Sequence, residues 1–226
     1  MAHACGLQVD WLGRVRYEAG LELQSRAVKA RLDGTGGDRL LLLEHPPAVT
    51  LGRGALESNL LLSREAIRAR GIDLHEVQRG GDVTYHAPGQ LVGYLVMDLK
   101  AWGQPDVHLF VRRMESALIE TLAALGLRGR AVPGRTGVFM GAVSEGDGAE
   151  PPRKIASIGI GVRKWVTFHG FALNVTLDLS GFEVIVPCGL DDITMTSVAQ
   201  ELGRGSLGLD ARVRAQVCAT FPRVFA

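Results

Sequence analysis

The chain has 226 residues, 46% of them hydrophobic and 22% charged, which is enough apolar material to bury the core of one domain over residues 1–226. Its 25 basic and 24 acidic residues leave a formal net charge of +1, which argues against a protein that works by neutralising nucleic-acid phosphates. No apolar run reaches about 18 residues, so we expect no membrane span.

The cysteine and histidine content also excludes several kinds of site. The three cysteines, Cys5, Cys188 and Cys218, form no Cys-x-x-Cys pair, and the six histidines lack metal-ligand spacing. We therefore expect no disulfide framework and no metal site. The N-terminal residues are too polar for a signal peptide, so the sequence predicts a protein of the reducing cytoplasm.

The first part of the chain predicts helices that alternate with strands. In chain order these elements are a helix from about Tyr17 to Leu32, a strand over Leu40–Glu44, a short helix from the Ser63 cap to Gly71, a strand over Leu91–Leu99 and a helix from about Val107 to Leu125. The strand at Leu91 is apolar at both odd and even positions, as a central strand requires. The helix at Val107 has Asp106 at its N-cap position and Gly126 as its stop.

The second part predicts more strands and two further helices. Apolar residues alternate from Ile158 to Val162 and again from Phe171 to Val175, which is typical of strands. A Gly-, Glu- and Pro-rich stretch from Gly141 to Pro152 predicts a hairpin loop. Ser197 opens a capping box for a short helix, and a final helix follows. Together these elements predict a single α+β domain with a mostly antiparallel sheet flanked by helices.

Cys188 is the strongest candidate for a nucleophile. We interpret Glu183 to Val186 as a strand that runs into Pro187, with Gly189 allowing a sharp turn that exposes the sulfur and aims backbone N–H groups at an oxyanion. A thiolate is a strong nucleophile and exchanges readily with thioesters, so such a cysteine suits acyl transfer. The alternative is a small buried residue at a strand end.

Lys154 is the candidate base, in a chain with only four lysines. If the strand is unbroken, its period of two places Lys154 on the same face as Ile158 and Val162, with Ser157 on the opposite face. A lysine on an apolar face either extends its amine to water at the rim or is desolvated enough to act as a general base.

Two glycine-containing segments are candidates for substrate contact. Arg79-Gly-Gly runs into Thr-Tyr-His86 and a Pro-Gly turn, where the glycines permit close approach of a ligand. Gly170 leaves a side-chain-free gap in a predicted strand, which admits an acyl chain or marks a bulge. Both segments also have a purely structural interpretation, as turns and a bulge.

Taken in chain order, five segments resemble the lipoyl(octanoyl) transferase family, also called lipoate-protein ligase B, and they span about 145 of the 226 residues. The matching segments are Glu44-His-Pro46, Arg79-Gly-Gly with Thr84-Tyr-His-Ala-Pro-Gly-Gln90, Lys154-Ile-Ala-Ser-Ile-Gly159, His169-Gly-Phe-Ala-Leu-Asn174 and Ile185-Val-Pro-Cys-Gly189. The resemblance implies a fold similar to the catalytic domains of biotin and lipoate protein ligases.

The resemblance also implies an activity and a set of site residues. Members of the family transfer an octanoyl group from acyl carrier protein to one lysine of the lipoyl domains of 2-oxoacid dehydrogenase E2 subunits or of the glycine cleavage H protein. By resemblance, Cys188 holds the acyl group as a thioester and Lys154 is its acid/base partner. The implied substrate-binding residues are Arg79, Gly80, Gly81, Asp82, Val83, Thr84, Tyr85, His86, Ser157, Ile158, Gly159, Gly170, Phe171 and Ala172. No cofactor or metal takes part, and we expect a monomer.

Ala87 departs from the family pattern, which more often has glycine before the proline. Three rival functions stay open. An ATP-dependent lipoate or biotin ligase would need no cysteine, a redox-responsive binding protein would use Cys188 as a sensor, and a thioesterase would resolve the same intermediate with water. Arg79, Arg135, Arg153 and Arg163 are the residues we expect to receive acidic carrier and lipoyl domains.

Overall fold

The computed structural model describes residues 6–141, 151–203 and 207–226. Cys5 and residues 142–150 of the predicted hairpin loop lie outside the described residues. No helix in the described ranges combines the length and the apolar composition needed to cross a membrane.

The described residues form eleven strands and five helices, apart from short 3-10 turns. The strands are β1 Gln8–Arg14, β2 Arg39–Glu44, β3 Ala48–Leu51, β4 Asp73–Glu76, β5 Val83–His86, β6 Gln90–Val96, β7 Arg130–Val132, β8 Arg135–Met140, β9 Arg153–Arg163, β10 Val166–Asn174 and β11 Thr194–Met195. The helices are α1 Tyr17–Leu32, α2 Arg64–Ala69, α3 Val107–Ala124, α4 Val198–Leu202 and α5 Leu209–Val224.

The strands build two sheets. The larger has the order β1-β2-β6-β10-β9-β8-β7, with β11 beside β9, and the smaller has the order β4-β3-β5. Only the pairs β1–β2, β9–β11 and β3–β4 are parallel among the named strands, so the pairing is mostly antiparallel. The α+β prediction is therefore confirmed, with parallel pairs at the margins.

Helices cover both faces of the larger sheet, which explains its leucine-rich central strands. In β2, Leu40 and Leu42 pack into a core with α3 and α5, whereas Leu41 and Leu43 pack toward α1. Each of these four side chains is at most 3% exposed. Because β2 and β6 are buried on both faces, neither shows an alternation of apolar and polar residues.

The predicted helices have the predicted starts. The side chains of Ser63, Asp106 and Ser197 each accept a hydrogen bond from the backbone N–H three residues further on, which caps α2, α3 and α4. The strand predicted to reach Leu99 is shorter, because β6 ends at Val96.

The strand predicted before Cys188 is wrong. Leu179–Val184 is a 3-10 helix, begun by Asp178, whose carboxylate accepts the Ser180 N–H. Phe182, Val184 and Ile185 are all buried in a core with the smaller sheet. A helical turn places these closely spaced apolar residues in one core, whereas a strand would send them alternately to two faces.

Candidate active site

The sulfur of Cys188 lies beside an amine and a hydroxyl. Lys154 Nζ is 3.1 Å from Cys188 Sγ, and Ser157 Oγ is 3.7 Å from the same sulfur. Lys154 is 2% exposed, so its amine lies within the protein and not at a rim. At this distance the amine and the sulfur are able to exchange a proton directly.

A bulge in β9 brings Lys154 and Ser157 to the same side, contrary to the predicted alternation. Val138 of β8 pairs with Ala156 and the next residue, Phe139, pairs with Lys154, so Ile155 is an extra residue. Ile155 therefore joins the core that holds Ile158 and Ile160, and Lys154 points the other way, toward the sulfur. The predicted face of Lys154 is wrong because the strand is not regular.

Gly137 of β8 makes room for the lysine. A Cβ at this position would lie 2.8 Å from Lys154 Cε, and the Gly137 backbone has φ +125°, where side chains are strained. The Gly137 N–H donates to the carboxylate of Glu115 on α3, which is 1% exposed and also accepts from Arg112. The strand beside Lys154 is thus tied to a helix of the core.

The turn that carries Cys188 holds it in a left-handed conformation. Cys188 has φ 58° and ψ 17°, which is rare for a residue with a side chain and costs about 1–2 kcal/mol. The Gly189 and Leu190 N–H groups donate to the carbonyls of Val186 and Pro187. The prediction that N–H groups following the sulfur face an oxyanion is therefore wrong for these two, since both close the turn.

Asp82 anchors this turn to the rest of the site. A Cβ on Gly189 would lie 2.4 Å from Asp82 Oδ2, so only glycine permits this approach. The Asp82 carboxylate also accepts from the Asn59 amide and from the Val83 N–H. Asn59 in turn receives the Val186 N–H at its carbonyl, 2.8 Å away. The cysteine turn and the Arg79 segment are therefore one connected structure.

Arg79 is buried in the wall of the site and is not part of the outer surface of the protein. It is 8% exposed, and its guanidinium donates to the Thr50 carbonyl at 2.8 Å, to the Thr50 hydroxyl at 2.9 Å and to the Gly80 carbonyl. Burial lowers the pKa of Arg79, but a guanidinium stays charged in proteins. The prediction that Arg79 docks an acidic partner is wrong, and its positive charge acts inside the protein.

A cavity of about 240 Å³ lies between the two sheets and opens onto Cys188. Lys154 and Ser157 line it at the sulfur, and Val92, Phe171 and Ala172 supply apolar wall. An apolar cavity with a nucleophile and a base in its wall is able to hold an alkyl chain whose reactive carbon meets the sulfur.

Neutral histidines and tyrosines surround part of this cavity. Burial lowers the pKa of His169 to about 3 and that of His45 to about 4, and it lowers the pKa of His86 well below its usual value. His45 Nε2 lies 2.8 Å from the Tyr94 hydroxyl, and burial raises the pKa of Tyr17 to about 12. Tyr17, His86, Tyr94 and His169 line the cavity, and His45 lies behind Tyr94. All are polar but uncharged near pH 7, which suits a wall that faces an alkyl chain.

Comparison with known proteins identifies the family. Residues 16–221 match the family described as the lipoyl protein ligase A/B catalytic domain. An octanoyltransferase of Acidobacterium capsulatum is 48% identical over 200 residues, which cover 84% of this chain and 78% of that protein. The chain belongs to this family. The predicted family and the predicted acyltransferase class are confirmed.

Solved structures show the same lipoyl protein ligase fold. A bipartite lipoate protein ligase from Thermoplasma acidophilum has a TM-score of 0.68 at 17% identity, covering 96% of this chain and 84% of that chain. A biotin protein ligase from Aquifex aeolicus, in complex with biotin and ATP, has a TM-score of 0.50 at 12% identity, covering 96% and 71%. These likenesses confirm the predicted fold and say nothing further about chemistry.

Most of the residues that the family resemblance singled out line the cavity. These are Arg79, Gly81, Asp82, Val83, Thr84, His86, Ser157, Ile158, Gly159, Gly170, Phe171 and Ala172, together with Lys154 and Cys188. Gly80 and Tyr85 lie outside its wall. Gly80 donates its N–H to Ile160 and joins the two sheets, while Tyr85 packs on Phe182. The buried Thr84 hydroxyl has no hydrogen-bond partner among the described residues.

The structure distinguishes the two interpretations of Gly170, a gap for an acyl chain and a bulge. A Cβ there would lie 2.2 Å from the Gly93 carbonyl oxygen of β6, and the preceding His169 has a left-handed φ of 58°. Glycine is therefore required by the close approach of β6. β10 keeps a continuous register with both neighbouring strands, so the bulge interpretation is wrong, and Gly170 lines the cavity.

Sequence reasoning missed Tyr17, Tyr94, His169 and Gly137 as parts of this site. Tyr17 begins a helix and Tyr94 lies within an apolar strand, so neither has a local signal of function. His169 was noted only within a family motif. One group in the described ranges has metal-ligand spacing, Glu18, Asp73 and His75, with ligand atoms within 4.8 Å, but its carboxylates are exposed and it does not line the cavity.

Proposed function

We propose that this chain transfers an octanoyl group from the thioester of acyl carrier protein to one lysine of a lipoyl domain, through a thioester on Cys188. The observation that carries the proposal is the 3.1 Å contact between Lys154 Nζ and Cys188 Sγ at the mouth of a mainly apolar cavity. The octanoyltransferase names of relatives at 44–48% identity support the choice of acyl group.

In the first half-reaction the Cys188 thiolate attacks the donor carbonyl. A new C–S bond forms to Cys188, the donor C–S bond breaks, and the carrier thiolate leaves. Lys154 takes the cysteine proton and returns it to the departing thiolate. The buried charge of Arg79 lies in the cavity wall and favours negative charge developing on the carbonyl oxygen.

In the second half-reaction the acceptor amine attacks the Cys188 thioester. An amide forms, the C–S bond to Cys188 breaks, and the amine proton passes through Lys154 to the released sulfur. Because exchange between thioesters is nearly isoenergetic and the amide is more stable, the sequence of steps needs no ATP. We therefore disfavour the ligase alternative on the grounds of chemistry, since a ligase has no need of a cysteine in this position.

The finer parts of the proposal rest on the sequence. We propose that the acceptors are the lipoyl domains of 2-oxoacid dehydrogenase E2 subunits and the glycine cleavage H protein, and that residues 1–226 act as one domain and as a monomer in the cytoplasm. The surface arginines Arg135 and Arg153 pair with Asp192 and Glu201, so a partner would meet ion pairs there.

Intact-mass measurement after incubation with octanoyl-acyl carrier protein tests the mechanism. We expect one octanoyl adduct, located on Cys188, which an apo lipoyl domain removes as its own mass rises. Cys188→Ser should lose the adduct, whereas Cys218→Ser is the matched control, because Cys218 is exposed on α5 and its adduct level should equal wild type. An adduct on Lys154 alone, or transfer only when ATP and free octanoate are supplied, would contradict the proposal.

A further inference from the structure

A second cavity, of about 610 Å³, lies behind the first. Leu21, Val28 and Leu32 of α1 and Phe168 of β10 form its apolar side. Charged residues line much of the rest, namely Lys29, Asp33, Glu76, Arg163 and Lys164. The proposed reaction makes no use of this space. His169 lines both cavities, so its side chain belongs to the partition between them.

Contacts with α1 and with two aromatic rings hold His169 in place. Its backbone N–H donates to the Gln24 side chain of α1 at 2.5 Å, and the residue is 4% exposed. The ring lies edge-on to Tyr94, with centroids 5.8 Å apart, and 5.4 Å from the ring of Phe168. The left-handed backbone at φ 58° interrupts the alternation of β10, so consecutive residues Phe168 and His169 both line the second cavity.

The distance from the sulfur to this partition follows from the strand register. Ser157, beside the sulfur, is paired with Ala172, and His169 lies three residues before Ala172 on β10. At about 3.3 Å per residue, the partition lies about 10 Å along the strand from the sulfur end of the cavity.

An octanoyl thioester has a similar reach. Eight bonds separate the sulfur from the terminal methyl carbon. A fully extended peptide advances about 3.3–3.6 Å over three backbone bonds, so an extended chain of eight bonds reaches about 9–10 Å. An octanoyl group on Cys188 therefore ends at His169, and each further pair of methylenes would have to enter the space that the imidazole occupies.

We propose that His169 is the residue that sets the acyl chain length, by closing the octanoyl cavity off from the apolar side of the larger cavity behind it. This inference rests on the proposed function, because it takes Cys188 as the point of attachment. Removing the imidazole joins the two cavities and lets longer saturated chains pass Phe168 and lie against Leu21, Val28 and Leu32 of α1.

His169→Gly is the sharpest test, because glycine removes the ring and accepts the positive φ of this position. Purified protein is offered equal amounts of octanoyl- and dodecanoyl-acyl carrier protein, and the two adducts on Cys188 are counted by intact mass. When two acyl donors differ by one methylene and the pocket fits only the shorter, their reaction efficiencies differ by about tenfold or more. We expect wild type to prefer octanoyl by at least about tenfold, and the variant to lose or reverse that preference.

His169→Asn provides a second variant in case the glycine variant does not fold, since asparagine tolerates left-handed backbone and is shorter than histidine. We expect it to take decanoyl donor better than wild type and dodecanoyl donor less well than His169→Gly. Val28→Ala is the matched control, because it enlarges only the second cavity and leaves the partition in place. Its chain-length preference should equal that of wild type.

The outcomes separate the two proposals. Absence of any acyl adduct on wild-type Cys188 would overturn the proposed function. A wild-type octanoyl adduct together with an unchanged octanoyl preference in the folded His169 variants would overturn only the role of His169. A shift in Val28→Ala as large as that in His169→Gly would also overturn it, because general loosening of the α1 face would then explain both.

Discussion

Separate neighbours hold the amine and the carbon stem of Lys154. Its buried amine is 3.1 Å from the sulfur and 5.4 Å from the centroid of the Phe139 ring, which also favours a cation. The carbon stem lies against Gly137, where any side chain would displace it. Different neighbours therefore contact the amine and the stem of Lys154. We expect a substitution of Lys154 to lower the reactivity of Cys188 more than the free energy of unfolding.

Lys154→Met tests the contribution of the amine to acylation of Cys188, because methionine has a similar unbranched shape but no charge. Loss of a positioned acid/base group costs about 10²–10⁴ in rate, so we expect a loss of this size in single-turnover acylation of Cys188. Alkylation of Cys188 by iodoacetamide at pH 7 should slow as well. Lys100→Met, at an exposed turn, is the control and should match wild type. Equal acylation rates in Lys154→Met and wild type would remove the dyad from the mechanism.

The sequence predicts the helices and strands with regular periods correctly, but it does not predict the positions where those periods break. The apolar stripe and caps of α3 and the two-sided strand β6 are visible in the sequence because helix and strand periods hold throughout. The bulge at Ile155 and the left-handed residues His169 and Cys188 break those periods. Each of these breaks depends on contacts with another strand or turn, which no local pattern records, and each shapes the site.

The N-cap of α3 supports the site from the opposite side of the sheet. The Asp106 carboxylate accepts the Leu109 N–H at 3.0 Å, and α3 also carries Glu115, which holds the strand beside Lys154. We expect Asp106→Ala to lower the free energy of unfolding by about 1 kcal/mol, measured by urea denaturation. Ser116→Ala on the exposed face of the same helix should change it by less than about 0.5 kcal/mol. Equal effects of the two substitutions would show that the cap contributes nothing particular.

Over the whole molecule, α1, both sheets and the cavity meet around three buried histidines, His45, His86 and His169. Burial lowers the pKa of each below the ordinary value of 6.5, to about 4 for His45 and about 3 for His169. The positive charge of Arg79 adds to this for His86 and His169. The folded chain therefore keeps these rings neutral at pH values where the unfolded chain protonates them.

Because the pKa values are lowered in the folded state, the free energy of unfolding falls as the pH falls. Above about pH 7.5 neither state is protonated at these rings, so they leave stability unchanged; below 6.5 the unfolded state binds more protons, and stability falls until the folded pKa values are reached. Each histidine lowers the free energy of unfolding by at most about 1.4 kcal/mol per pH unit.

We expect the urea midpoint to be level from pH 8.5 to 7.5 and to fall steeply from 6.5 to 5. His108→Gln, on the exposed side of α3, should keep this profile, whereas His86→Gln should make the fall shallower, because two of the three buried rings remain. A wild-type midpoint that is constant from pH 7.5 to 5 would show that the buried rings are not held neutral at a cost to folding.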